Sequence, residues 1–274
     1  MRLNIHNYSM VEMTKHFSLL FLVAFFSSCQ TQQTTDSKKP DPKTSKKIEE
    51  KSFINLGGEE QYVEITSESD KNPVLLFIHG GPGWTQTPQI RAFNSDISKA
   101  YTLVVWEQRG AGQSYVKNPT PENVTLKQIV SDAKELTDIL KKKFGKQKIY
   151  LAGYSWGSVV GMELAQKYPD DFHAYISIAQ LINMKRGMEI SQEWLAEQAK
   201  DDKKDMEFLA KLKNPTKDFC DGGFQCFMKQ YELIGKYGGA VYDKEIDKKI
   251  AEKTHKYEEY KDYPWMKAFE FSAK

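Results

Sequence analysis

The sequence predicts an α/β fold, a largely parallel sheet with a helical cap, and three observations carry that expectation. Residues 73–157 alternate apolar runs with glycine-rich turns and helical stretches. The runs are short, and the one at Val74-Leu75-Leu76-Phe77-Ile78 is continuous rather than alternating, as a central strand covered on both faces requires. From Asn183 onward the texture changes to long charged stretches with scattered aromatics and no convincing apolar strand, which reads as helices.

The front of the 274-residue chain is set apart from this fold. An apolar run at 19–26 follows Lys15 and His16 and leads into Ser27-Ser28-Cys29, the layout of an export signal, and it is short for a membrane span. Met10 or Met13 would give that signal a more ordinary length as a start. Small residues before Cys29 resemble a bacterial lipoprotein signal, which implies lipidation of Cys29 and anchoring to the cell envelope, periplasmic or surface; simple secretion is the alternative. Residues 30–52 are rich in Thr, Gln, Ser, Lys and Pro and read as a flexible tether, leaving 53–182 as the core and 183–274 as the cap.

Charge is nearly balanced, 39 basic against 37 acidic residues for a net of +2, so no electrostatic case exists for a nucleic-acid partner. Export permits a local disulfide between Cys220 and Cys226 across a flexible loop, two buried thiols being the alternative. No metal or organic cofactor is expected from residue spacing.

Taken in order, residues 61–66 are β-rich and should form an early antiparallel strand at the sheet margin. The run ending at Ile78 enters His79-Gly80-Gly81-Pro82-Gly83, a backbone able to approach another group closely. Its spacing matches neither phosphate-binding fingerprint. Residues 87–98 predict a short helix and 101–106 the next strand. That strand ends in Glu107-Gln108-Arg109-Gly110-Ala111-Gly112-Gln113-Ser114, where Glu107 and Arg109 are expected to pin neighbouring loops through a partly buried ion pair. Thr125 and Gln128 suggest a capping box, followed by an apolar helical face from Leu126 to Phe144 that stops before Gly145.

The apolar run at 149–152 then meets Gly153-Tyr154-Ser155-Trp156-Gly157, a Gly-x-Ser-x-Gly turn from strand to helix that exposes a serine as a nucleophile. Tyr168-Pro169 ends the helix, and 174–179 is another strand. The glycine turn after one strand and the serine turn after a later one suit an oxyanion hole built from the N–H groups of Gly81 and Trp156.

Together these three motifs resemble the proline iminopeptidase group of alpha/beta hydrolases, over roughly residues 61–179. The resemblance implies an alpha/beta-hydrolase sheet with a helical cap. It also implies that Ser155 attacks a carbonyl, that Gly81 and Trp156 stabilise the oxyanion, and that acidic cap residues hold a free N-terminal amine. Glu232 and Asp221 are the candidates for that last role. The family it resembles usually has aspartate where this chain has Glu107, so the resemblance implies the same carboxylate on a longer side chain.

Such a serine needs a histidine oriented by a carboxylate, arriving after it in the chain on further strands. Of five histidines, His6 and His16 lie in the export segment, His79 braces the oxyanion turn, His173 precedes its strand, and His255 sits in Lys/Glu-rich helical sequence. The expectation is therefore a chain truncated within or just after the cap, with the last sheet strands and two triad members missing. The complete protein would release an N-terminal residue, proline or another small one, from short peptides. A broad ester or amide hydrolase, or an inactive binding protein, are the alternative readings.

Overall fold

The structure, a computed structural model, describes residues 45–213, 223–240, 244–254, 256–261, 263–264 and 267–268. The stretch expected to be an export signal, with Cys29, and Cys220, Asp221 and His255 lie outside the described residues. Six strands form one sheet: β1 (Ile48–Leu56), β2 (Glu59–Ser67), β3 (Val74–Ile78), β4 (Thr102–Trp106), β5 (Ile149–Tyr154) and β6 (Phe172–Ile178), in the order β1-β2-β4-β3-β5-β6. β1 and β2 are an antiparallel hairpin, β2 runs antiparallel to β4, and β4, β3, β5 and β6 are mutually parallel.

The hairpin turns at Gly57 and Gly58, both with positive φ (+56° and +84°), the pair of angles that a twist-matched two-residue turn requires. β1 moves two expectations. The ordered core begins at Ile48, so the stretch expected to be tether up to 52 ends in a strand; and the margin is β1, with β2 one place inside it. Alternate residues of β1 are exposed and include Glu49 and Lys51, so its composition imitates a solvated linker. Charged side chains on an edge strand also discourage edge pairing.

β3, β4 and β5 are buried on both faces, which accounts for their unbroken apolar runs, whereas the outer parallel strand β6 is largely exposed. On one face Leu76, Ile78, Val104 and Leu151 pack with Ile129, Ala133, Leu136 and Leu140 of α3 (Leu126–Phe144) and with Val160 and Leu164 of the helix that follows β5. On the other, Leu75, Leu103, Val105 and Ala152 pack with Ile90 of the helix Thr87–Phe93, α1. Each fully buried Leu or Ile contributes about 2 kcal/mol relative to exposure. Thr125 caps α3 by accepting from the Gln128 N–H at 3.2 Å. The reciprocal half of the expected capping box is absent among the described residues, because the Gln128 amide turns instead to Asp132, 2.8 Å away. Gly145, at φ +61°, closes the helix.

A six-residue helix, α2 (Gly112–Lys117), occupies the end of the stretch that reads as a glycine-rich loop. After β5 comes α4 (Trp156–Lys167), and after β6 the chain is helical: α5 (Met184–Gln198), α6 (Lys203–Lys213), α7 (Phe224–Lys236), α8 (Lys244–Thr254) and α9 (Glu258–Lys261). Among the described residues the helical region contains two packed groups. α5, α6 and α7 share a small core of Leu195, Ala199, Leu209, Leu212, Cys226 and Leu233. α8 packs on α1, and Tyr260, Tyr263 and Ala268 are buried together with Tyr115 of α2 and Tyr257 packed against them. Among the described residues no helix is long and apolar enough to cross a membrane.

Candidate active site

β3, β4 and β5 are parallel, so the loops at their carboxyl ends converge at one edge of the sheet, where open α/β sheets place their chemistry. Ser155 stands at the last of these. Its backbone, φ +50° and ψ −118°, lies in a region costly to a residue with a Cβ, by about 1–3 kcal/mol. Such strain persists only where the surroundings dictate it, and here they do. The Ser155 N–H donates to the carbonyl of Ile178 at 2.9 Å. The Ser155 carbonyl accepts from the Ser158 N–H at 2.9 Å and the Ser158 hydroxyl at 2.5 Å. Gly157 packs so tightly on β3 that a Cβ there would collide with the carbonyls of Ile78 and His79. The turn therefore lifts a half-buried serine side chain at the entrance of α4, whose first N–H groups, Trp156 among them, have no partner inside the helix.

The glycine turn after β3 lies directly against this serine. A Cβ placed on Gly80 would be 3.2 Å from the Ser155 Cβ and 3.2 Å from the Tyr154 carbonyl. The turn is held by side chains on every side. The Gly80 N–H donates to Gln86 Oε1 at 2.6 Å, and the Gln86 amide donates to the Trp84 carbonyl at 2.8 Å. The His79 ring is fully buried, with Nδ1 2.7 Å from the Gly80 carbonyl and Nε2 accepting the Gln108 N–H at 3.0 Å. An acceptor role at Nε2 puts the proton on Nδ1, donating to Gly80. Burial lowers the imidazole to about 4 despite that carbonyl, so the ring is neutral and both its nitrogens are engaged with backbone.

Glu107 and Arg109 do not form the expected ion pair with each other. Arg109, 3% exposed, pairs with Asp132 of α3, Nε to Oδ2 at 2.6 Å and Nη2 to Oδ1 at 3.0 Å. Its other N–H groups reach Glu59 and the carbonyls of Leu56 and Glu122. Gln61 completes the cluster, accepting from Trp106 Nε1 and the Arg109 N–H and donating to Asp132. Glu107 is fully buried and is held by neutral donors: the hydroxyls of Thr85 (2.7 Å), Thr87 (2.6 Å) and Tyr260 (2.6 Å) and the Gln113 N–H (2.5 Å). Burial pushes its carboxyl up from the ordinary range, against the pull of those donors. Five N–H groups of a guanidinium demand several acceptors, and one carboxylate two residues away in the chain supplies too few.

Of the remaining candidates, His173 is exposed near the start of β6, its ring tilted at 33° against that of Tyr150 with 5.1 Å between centroids. Register pairs Ile149 with Phe172 and Tyr154 with Ile178, so His173 is a strand's length from Ser155. Glu232 is exposed on α7. Cys226 is disulfide-bonded and buried in the α5–α7 core. Among the described residues no group of His, Cys, Asp or Glu is gathered to hold a metal ion. Residues that sequence reading passed over are the supports: Gln86, Gln108, Thr85, Thr87, Tyr260 and Tyr263. Thr85-Gln86-Thr87, one residue past the glycine turn, and Gln108, inside the motif at 107–114, carried a local signal; Tyr260 and Tyr263 carried none.

A profile of the alpha/beta hydrolase fold matches residues 73–217, more than half of the chain. The chain belongs to this family. Its relatives include the protein named "Probable aminopeptidase YbaC" of Bacillus subtilis (strain 168), 38% identical over 130 residues, which are 47% of this chain and 41% of that protein. A proline iminopeptidase of Neisseria gonorrhoeae is 34% identical over 110 residues, 40% of this chain and 33% of that one. The matches thus span less than half the length of these curated relatives. Among solved structures, a proline iminopeptidase-related protein of Thermus thermophilus superposes with a TM-score of 0.44 and 26% identity, over 56% of this chain and 50% of that chain. As an alpha/beta hydrolase, the chain has its motifs on the sheet edge where that fold keeps its ligands.

Proposed function

We propose that the complete protein is a serine hydrolase of the aminopeptidase type. Ser155 Oγ attacks a substrate carbonyl, its proton passes to a histidine base, and the oxyanion is received by the N–H groups of Gly81 and Trp156. The amine leaves with a proton from that base, and water releases the acyl group from Ser155. The single observation that carries this reading is the strained Ser155 backbone at the mouth of α4, with Gly80 of the glycine turn packed against it. Names of the relatives favour an N-terminal residue of a short peptide, proline included, as the acyl donor. An exported location is part of this reading, supported by the disulfide-bonded Cys226, and the signal-like residues 19–29 favour lipidation at Cys29 within it.

The base is to be sought outside the described residues, because His79 is locked and His173 is remote. β6 supports a particular source. It is the outer strand, and Ile176 and Ile178 are 43% and 40% exposed, as they would be where further parallel strands add. Loops at the carboxyl ends of such strands would face Ser155 from the same sheet edge and bring the acid and the base.

The test compares a proline arylamide, its N-blocked form and a short acyl ester on the full-length gene product, with Ser155→Ala beside it. Turnover of the free-amine substrate alone, lost by more than roughly a thousand-fold in the variant, is the expected result. Equal turnover of all three would make it a broad ester or amide hydrolase. No turnover and no labelling of Ser155 by a fluorophosphonate would overturn the enzyme reading.

A further inference from the structure

Tyr260 and Tyr263 lie at the end of the helical region, yet they touch the supports of the glycine turn. Tyr260 is 2% exposed and its hydroxyl donates to Glu107 Oε1, the same oxygen that takes the Thr85 and Thr87 hydroxyls. Thr85 and Thr87 flank Gln86, whose side chain holds the Gly80 N–H. The Tyr263 hydroxyl accepts the Gly112 N–H at 2.7 Å and donates to the Gly83 carbonyl at 3.3 Å, the last residue of the turn itself. Gly112, at φ +51°, can carry no side chain, since a Cβ would fall onto the Glu107 carboxylate. Two tyrosines from one short stretch thus bond the first residue of the loop 83–87 and the carboxylate that holds Thr85 and Thr87.

The segment is also fastened from outside. Glu259 accepts from Arg91 at 2.8 Å and from Lys51 at 3.3 Å, and its carbonyl accepts the Gln113 amide at 2.8 Å. Arg91 is bonded to Glu64 of β2 and lies over the rings of Tyr257 and Tyr260, 5.3 and 5.7 Å from their centroids. Arg91 and Tyr62 therefore face the clasp from α1 and β2, and the two rings of Tyr260 and Tyr263 meet edge to face at 6.3 Å. Removal of the segment would leave Glu107 buried with one donor fewer and Gly83 with one donor fewer, and unsatisfied buried polar groups are costly.

We propose that Tyr260 and Tyr263 are positioning residues, a clasp by which the far end of the helical region sets the glycine turn beside Ser155. The turn is competent for oxyanion binding when the clasp is docked and loosens when it is not. This rests on the hydrolase reading for its kinetic consequence and on geometry alone for its structural one. Because preorganised donors contribute only when their position is fixed, loosening the turn lowers kcat while leaving substrate affinity nearly unchanged.

Two measurements test it on Tyr263→Phe and Tyr260→Phe, which keep the buried rings. The first is hydrogen exchange of the 1–274 chain and of the full-length product. Exchange of residues 79–87 is expected to rise about ten-fold, the loss of one or two hydrogen bonds, while 126–144 and 149–154 stay as in the parent. No change at 79–87, or an equal rise everywhere, would overturn the clasp whether or not the protein is an enzyme. The second is steady-state kinetics of the full-length product. Here kcat should drop about ten-fold in Tyr263→Phe with KM within about two-fold, and an unchanged kcat beside an active parent would overturn the clasp and leave the hydrolase reading intact. An inactive parent would sink the hydrolase reading, and hydrogen exchange would still decide for or against the clasp.

Discussion

The two sides of the serine turn are built differently. On the side of β3 and β4, the loops at 79–87 and 107–114 are cross-braced by buried polar groups: His79, Glu107, Gln108 and Arg109 are each at most 3% exposed. On the side of β6, the strand is exposed from His173 to Ile178 except for a half-buried Tyr175, and the stretch after it, Ala179 to Asn183, is largely exposed. The difference teaches that buried polar bracing, among the described residues, is concentrated in the β3 and β4 loops, while β6 presents an exposed face.

The braced side breaks most readily at its buried ion pair. Asp132→Ala leaves the Arg109 guanidinium inside the protein without its bidentate partner, so unfolding in urea should show a loss of about 3–5 kcal/mol. A loss near zero would mean that the loop at 107–114 does not depend on α3.

Acid should find the same side next. His79 titrates at about 4 in the folded chain against 6.5 for a free imidazole, so between these values the unfolded chain binds more protons and stability falls as pH falls. Roughly 3 kcal/mol should disappear from pH 6.5 to 4, all of it present above 6.5. In His79→Gln that slope should be missing from the pH profile of unfolding. Glu107 has the opposite sign: its raised carboxyl favours the folded state at low pH and loses that contribution as pH climbs through its folded value.

The open side should barely respond. Ile176→Lys in the 1–274 chain is expected to change stability by less than about 0.5 kcal/mol, and to lower self-association, since a lysine on an unpaired edge discourages strand addition. The same change in the full-length product should cost several-fold more if strands pair beside β6. Equal, small effects in both would mean that the edge stays open and would remove the support for a base arriving there.

Sequence reading did well wherever local pattern and tertiary burial agree. The 19-residue α3 was legible from its apolar face, its Thr125 cap and Gly145, and β3 from an unbroken apolar run. It failed at β1, whose exposed Glu49 and Lys51 look like linker, and at α2, where glycines needed for a positive φ disguise a helix start. It named His79, Glu107 and Arg109 as supports, then paired the last two with each other. The partners are Asp132 of α3 for Arg109 and, for Glu107, hydroxyls that include Tyr260 from the far end of the chain.

What the sequence by itself determined is the order of strands and turns and the serine poised between two glycines, because glycine, proline and apolar periodicity act over a few residues. Which carboxylate meets which cation, that His79 is neutral, and that Tyr260 and Tyr263 clasp a turn about 180 residues before them was decided only by tertiary structure. The reason is physical: a buried polar group takes whatever partner the packing of distant elements brings within about 3 Å, and separation along the chain does not constrain that choice.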